Sequence, residues 1–417
     1  MNFIATKGTD RVLAGRNVAA RKLKFEPTLW QVFIVCLIGL AIHFAALGWI
    51  LFSGLMGRID SPHAVALLLA TLVVAGIATV GWVMLHVVHR ELGQIVEDAA
   101  RMRHFDFEPS AAHRFIIADL RKVRDSLEDG KHAIRAIRKY VPMPLLLQLH
   151  AEHKEAEIGA EPREITLFFS DIRDFTTMSE NLSGIELARA LGLYLEVMAR
   201  SVAAHQGTID KFIGDSVMAF WGAPQPVESD AHWACRTALH SIGVCNQLFA
   251  SQAWGALPRW NTCYGIHRDR VMVGNFGAPD RLNYTAVGDG VNTASRLEGL
   301  NKTYGTSVIV SEVIRDAVAD EFLFRRLDIV AVKGKSKPIA IFELLGAKAH
   351  FKKPEFVDVY ESAFESYLAR DFTKACYLLA AQIDHDAPSK VLYQRCLTFE
   401  EHQPAVGWNG VFIAQTK

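Results

Sequence analysis

Two long apolar runs dominate the start of the chain, at 29–52 and 64–88. Each is long enough to cross a hydrocarbon core of roughly 30 Å as a helix. Trp30, Trp49 and Trp82 stand towards the run ends, where indole rings favour a membrane interface. The connection at 53–63 is too short to fold as an external domain. After the second run the pattern changes. Leu92, Ile95, Ala99 and Met102 set one apolar seam on a helix, and Phe105-Asp106-Phe107-Glu108-Pro109 interrupts it. A second seam follows in Leu120, Val123, Leu127, Gly130, Ile134, Ile137 and Val141, with glycine its weak position. Such seams need a partner helix, so a parallel dimer is expected. Pro142 and Pro144 should break the helix, leaving polar 150–163 as a linker.

From residue 164 strand and helix patterns alternate. They predict a strand at 165–171, a helix at 183–205, a hairpin at 208–221 turning at Gly214-Asp215 and a helix at 228–250. Strands around 261–276 come next, then a helix that Asp289 can cap and that runs through Leu300. A strand (307–311), a helix (312–319) and two strands (322–332 and 339–345) complete an α+β domain. The tail, 356–399, is helical in pattern. Val357, Tyr360, Phe364 and Tyr367 share one face, followed by Ala375, Leu378, Leu379 and Ile383 and a short helix after Pro388.

Composition sharpens this division. The chain has 417 residues, enough for two or three domains, and 45 Lys+Arg balance 45 Asp+Glu, so no global field argues for a nucleic-acid partner. Half of the residues are hydrophobic, an excess that sits largely in the two apolar runs. Cys36, Cys235, Cys245, Cys263, Cys376 and Cys396 form no CxxC pair, which fits a reducing cytosol. Lys7, Arg11, Arg16, Arg21, Lys22 and Lys24 precede the first run, and Arg90, Arg101 and Arg103 follow the second. The short connection holds only Arg58, partly offset by Asp60. This asymmetry predicts a two-pass protein of the cell (inner) membrane, in contact with lipid and with both termini cytoplasmic. His43 and His86 fall inside the runs. A cleaved signal peptide is not expected, because the first run is long and a second follows.

The candidate chemistry lies at 165–222. Asp171 and Asp215 each end an apolar strand pattern. One such aspartate is usually a turn former. Two of them flanking one helix, with Lys211 just before the second, suggest hard oxygen ligands for a divalent metal beside a substrate phosphate. Asn292 and Arg296, spaced i,i+4, share one helix face. The GKS at 334–336 is no P-loop, since Ile329 stands where that motif needs glycine.

Four stretches in order, FFSDIRDFT, DKFIGDSVMAFWG, NYTAVGDGVNTASRLE and VKGKS, resemble a class III nucleotide cyclase catalytic domain over 160–346. The resemblance implies a ferredoxin-like, palm-type sheet with flanking helices. It implies an adenylate cyclase that makes cyclic AMP and diphosphate from ATP with two divalent ions, Mg²⁺ or Mn²⁺. Asp171, Asp215 and the backbone carbonyl of Ile172 would hold the metals. Asn292 would position the ribose, Arg296 would stabilise the transition-state phosphate, and Lys333 would bind the triphosphate. Lys211 and Thr285 fall at the positions that read the purine edge. Adenylate cyclases carry lysine at the first and guanylate cyclases glutamate. A lysine can donate to adenine N1, whereas guanine N1 carries a hydrogen. Thr285 departs from the aspartate of the commonest animal enzymes and matches a mostly bacterial subgroup that includes bicarbonate-responsive members.

The family assembles each site between two subunits, one giving the metal aspartates and the other Lys211, Thr285, Asn292, Arg296 and Lys333. A homodimer would hold two equivalent sites. A guanylate cyclase and a catalytically inactive cyclase-like scaffold are the alternatives. Elsewhere, 89–145 resembles a HAMP signal-transducing domain with a coiled-coil stalk. The tail (350–417) resembles one TPR-like helix pair, expected to pack on the catalytic domain or to dock a partner. A short segment, 1–28, precedes the hairpin of spans at 29–88.

Overall fold

The computed structural model describes residues 29–55, 62–110, 115–331, 338–350 and 352–413. They fall into two units, Met1–Tyr140 and Val141–Lys417. The first unit contains three helices: α1 (Leu29–Leu55), α2 (Pro62–Arg103) and α3 (Ala118–Ile137). α1 and α2 touch where Gly76 leaves room, since a Cβ there would stand 2.1 Å from the Phe44 ring. Among the described residues only the Ala70–Arg103 stretch of α2 is long and apolar enough to cross a membrane; Leu37–Trp49 of α1 is apolar but shorter. Of the two spans expected from the sequence, the second thus has a helix of the required length and apolarity among the described residues. α2 also continues for 42 residues with no end near residue 88. Arg90, Glu91 and Leu92 are good helix formers, and nothing there stops the helix.

The face that α2 turns to α3 differs from the expected apolar seam. Glu91 and Ile95 are buried, whereas Leu92 is 47% exposed. The Glu91 carboxylate accepts from the backbone N–H groups of Ile116 (2.7 Å) and Ile117 (3.2 Å), satisfying free donors at the start of α3. The buried Lys131 ammonium of α3 meets Asp98 at 3.2 Å and Glu128 at 2.9 Å, and donates to Ser110 Oγ at 2.7 Å. Burying four charged or polar groups together is tolerable because they pair with one another. The apolar positions Val123, Ile134 and Ile137 stay exposed.

In the second unit, α4 (Met143–Glu152) begins directly after Pro142. Pro144 falls in its first turn, where a missing N–H costs nothing. The stretch 150–163 is thus no linker: it holds the end of α4 and the start of β1 (Gly159–Ile172). Then come α5 (Phe175–Ser179), α6 (Gly184–Ala204), β2 (Thr208–Ile213), β3 (Ser216–Trp221), α7 (Asp230–Phe249), β4 (Thr262–Ala278) and β5 (Arg281–Val287). α8 (Asp289–Tyr304), β6 (Val308–Ser311), α9 (Glu312–Val318), β7 (Phe322–Ala331) and β8 (Ile339–Ala347) follow. The tail adds α10 (Glu355–Leu368), α11 (Phe372–Leu379), α12 (Ala387–Glu401) and β9 (Phe412–Ile413).

The strands form one mixed sheet in the order β2-β3-β1-β4-β6-β8-β7-β9, with β5 paired to β4. Its centre is buried on both faces. Phe168, Val217, Ala219 and Trp221 face α6 and α7, while Ile165, Leu167, Phe169, Met218 and Phe220 face the side that carries Ala294 of α8. That two-sided burial is why β1 and β3 read as continuous apolar runs.

The tail packs on this domain. Tyr360 donates to the Leu327 carbonyl at 2.8 Å. Arg325, with a side chain only 2% exposed, pairs with Glu343 and with Asp386 at 2.7 Å. Asp386 also caps α12 through Ser389 N–H at 3.0 Å. Arg395 of α12 reaches Asp328 at 2.6 Å, and the same carboxylate accepts from Tyr304 of α8 at 2.5 Å.

Candidate active site

The two strand-end aspartates come together. Antiparallel pairing of β1 with β3 sets Ser170 opposite Val217, so the ends of both strands meet at the β2–β3 turn. That turn is two residues long, with Gly214 at φ +65°, a backbone conformation glycine takes without strain. Asp215 accepts from the Ile172 backbone N–H at 3.0 Å, and Ser216 Oγ donates to Asp171 at 2.5 Å. Burial, then the charge of Asp171, pushes the Asp215 pKa up to about 6. Two carboxylates held this close repel, and a cation between them would relieve both the burial and the repulsion.

Beside Ile172, Arg173 reaches under α8. Its guanidinium donates to the carbonyls of Thr306 (2.7 Å) and Asn301 (3.3 Å), where the partial negative end of the helix favours a cation. α8 lies close on β4 because of Gly265, whose Cβ would sit 2.2 Å from Glu298 N and 2.3 Å from the Ala294 carbonyl. Asn292 is exposed on this helix and Arg296 is half-buried one turn later. Glu298 is on the same helix, and its pKa is pushed up to about 8 by burial and then by Asp171. Sequence reasoning passed over it, although it closes the NTASRLE motif.

The second cluster joins Lys211 and Thr285. A register shift in the β2–β3 pairing between Ile209 and Lys211 leaves Asp210 as an extra, bulged residue. Its side chain, 1% exposed, lies 3.3 Å from Lys211 Nζ. Thr285 Oγ1, in a residue only 7% exposed on β5, donates to the same carboxylate, as does the Ala286 backbone N–H. Burial raises the Asp210 pKa, against the opposing pull of Thr285 and Lys211. Asp210 was not singled out from the sequence, because strict alternation aims it away from Lys211. Among the described residues no hydrogen bond or ion pair joins this cluster to Asp171 or Asp215. Lys333 lies at 332–337, outside the described residues.

The 160–346 segment matches the model of the adenylate and guanylate cyclase catalytic domain. Residues 160–346 are a class III cyclase domain. Adenylate cyclase 1 of Rhizobium meliloti is 37% identical over 264 residues, covering 63% of this chain and 40% of that protein. An adenylate cyclase of Anabaena cylindrica is 36% identical over 250 residues, covering 57% of this chain and 46% of that protein. The chain thus spans under half the length of these relatives. The crystal structure of the adenylyl cyclase CyaB from P. aeruginosa matches with 33% identity and a TM-score of 0.42, covering 47% of this chain and all of that one. Among the described residues of the cyclase domain, no group of three or more His, Cys, Asp or Glu side chains forms a complete metal site.

Proposed function

We propose that this chain is a membrane-anchored adenylate cyclase that converts ATP to 3′,5′-cyclic AMP and diphosphate at sites shared by two copies in a parallel homodimer. The observation that carries the reading is the meeting of Lys211 and Thr285, from β2 and β5, on one buried carboxylate. Lysine at this position presents a donor to adenine N1, where guanine would present a hydrogen. The names of the two curated relatives agree with this base choice.

The donor set fits a hard divalent ion. Asp171 and Asp215 supply carboxylate oxygens and Ile172 a carbonyl, and a site with so few protein ligands suits an ion that also binds substrate phosphates. Mg²⁺ or Mn²⁺ held there would neutralise the triphosphate and acidify the ribose 3′-hydroxyl. The chain's own residues do the rest. Asn292 orients the ribose, Arg296 offers a guanidinium to the phosphate as charge builds, and Lys333 holds the triphosphate. Phe212, Ile213, Met272 and Val287 are 40% or more exposed on β2, β4 and β5, and a second copy covering them would bring its Asp171 and Asp215 to this base-reading cluster. α1 and α2 supply the anchor as a two-pass hairpin, with cytoplasmic termini, and α2 and α3 act as a HAMP-like coupling element whose exposed seam meets its counterpart. A guanylate cyclase is disfavoured by Lys211, and an inactive scaffold by the presence of each expected side chain.

The test is the full chain in membranes, with ATP and GTP offered separately in Mg²⁺ or Mn²⁺. Cyclic AMP is expected, and no cyclic nucleotide from either substrate would overturn the reading. Asp171→Ala and Arg296→Ala should each lose activity by about 100-fold or more. Coexpressed in equal amounts, the two chains should recover about a quarter of wild-type activity, because half of the dimers are mixed and each has one intact site. No recovery would place each site within one chain.

A further inference from the structure

Thr285 poses a problem in base recognition, since a free hydroxyl can donate or accept and so tolerates either purine. The geometry points to Asp210 as the residue that fixes its polarity: the buried Asp210 carboxylate accepts the hydrogen bond of the Thr285 hydroxyl, leaving Thr285 as an acceptor that admits the adenine amino group and repels the guanine carbonyl. This deepens the adenylate cyclase reading and rests on it.

Three features on β2 and β5 support it. An ionised carboxylate only accepts, so the Thr285–Asp210 hydrogen bond runs from hydroxyl to carboxylate. Burial raises the Asp210 pKa, and against it the Thr285 hydroxyl, the Lys211 ammonium at 3.3 Å and the Ala286 N–H all favour the ionised form. The bulge at Asp210 re-aims a side chain that regular alternation would send to the opposite face from Lys211. With its one proton committed, Thr285 Oγ1 has only lone pairs left. At the same edge adenine offers an amino donor and guanine a carbonyl acceptor. Lys211 and Thr285 then read adenine as a complementary pair, donor to N1 and acceptor from the amino group. Asp210 touches no substrate and is a positioning residue.

Asp210→Asn tests this, because an amide can donate to Thr285 and free the hydroxyl to point its own proton at the base. The ATP:GTP ratio of kcat/KM, and the ratio of affinities for non-cyclisable ATP and GTP analogues, should each fall by about 10-fold or more. In a Thr285→Val background the same Asp210→Asn change should leave both ratios unmoved. An unchanged ratio in the single variant, or an equal fall in the Thr285→Val background, overturns the proposal. Should Asp210→Asn not fold, Thr285→Val decides alone: it must lower the ratio by a similar factor, and a wild-type ratio overturns the idea. A wild type with no base preference in analogue binding also overturns it. A wild type that prefers the ATP analogue but makes no cyclic AMP instead defeats the parent reading, and the binding ratios still decide this one.

Discussion

Glu298 sits two residues past Arg296, with one buried carboxylate oxygen lacking a hydrogen-bond partner. Its ordinary value is 4.5, and burial followed by the Asp171 charge raises it to about 8. Between those values the unfolded chain has released the proton that the folded chain keeps, so stability is lost as pH rises from 4.5 through 8. Glu298→Gln removes that loss. In metal-free protein it should change little at pH 5 and add about 2–4 kcal/mol at pH 8, read from urea midpoints. Equal midpoints at pH 8 would show that Glu298 is ionised without penalty. Residues of this kind are hard to find in a sequence. Asp171 and Asp215 stood out because each ends an apolar run, whereas Asp210 and Glu298 owe their character largely to Thr285 and Asp171, 75 and 127 positions away, which local pattern does not reveal.

At the scale of elements, the apolar runs of β1 and β3 and the apolar period of α6, α7 and the tail helices predicted these elements well, because each buries enough surface to leave its pattern. Ends set by distant partners were not legible. β1 starts at Gly159 because Gly159–Glu164 pairs with 270–275 of β4, a contact that polar residues make through their backbones. β5 went unread for a similar reason: it is a short strand that exists through its pairing with β4. Close approach of elements is where small changes should matter most. Gly265→Val would thrust side-chain atoms into the backbone of α8 at Ala294 and Glu298. Overpacking of this kind costs about 1–3 kcal/mol, and here it also shifts Asn292 and Arg296. Cyclic AMP production should fall by more than the loss of folded protein measured by circular dichroism accounts for.

For the molecule as a whole, the family boundary at residue 346 is not a structural boundary. Ending the chain there would leave Arg325 without Asp386 and Asp328 without Arg395, both inside the protein. Arg395→Ala alone should cost about 3–5 kcal/mol, since it leaves a buried carboxylate unpaired. Thermal unfolding of the full chain measures this, and a Tm unchanged from wild type would mean the tail is only loosely held. Asp328 also holds Tyr304, so a loosened tail should reach α8 as well. A comparable argument applies to α2, whose 42 residues run unbroken from its apolar stretch to Glu91 and Asp98. A helix without a hinge keeps angular phase: with 3.6 residues per turn, one residue more or less between the two ends turns one against the other by about 100°. The length of α2 between those ends is therefore a setting, and single-residue insertions or deletions there would act as a dial on whatever its polar face controls.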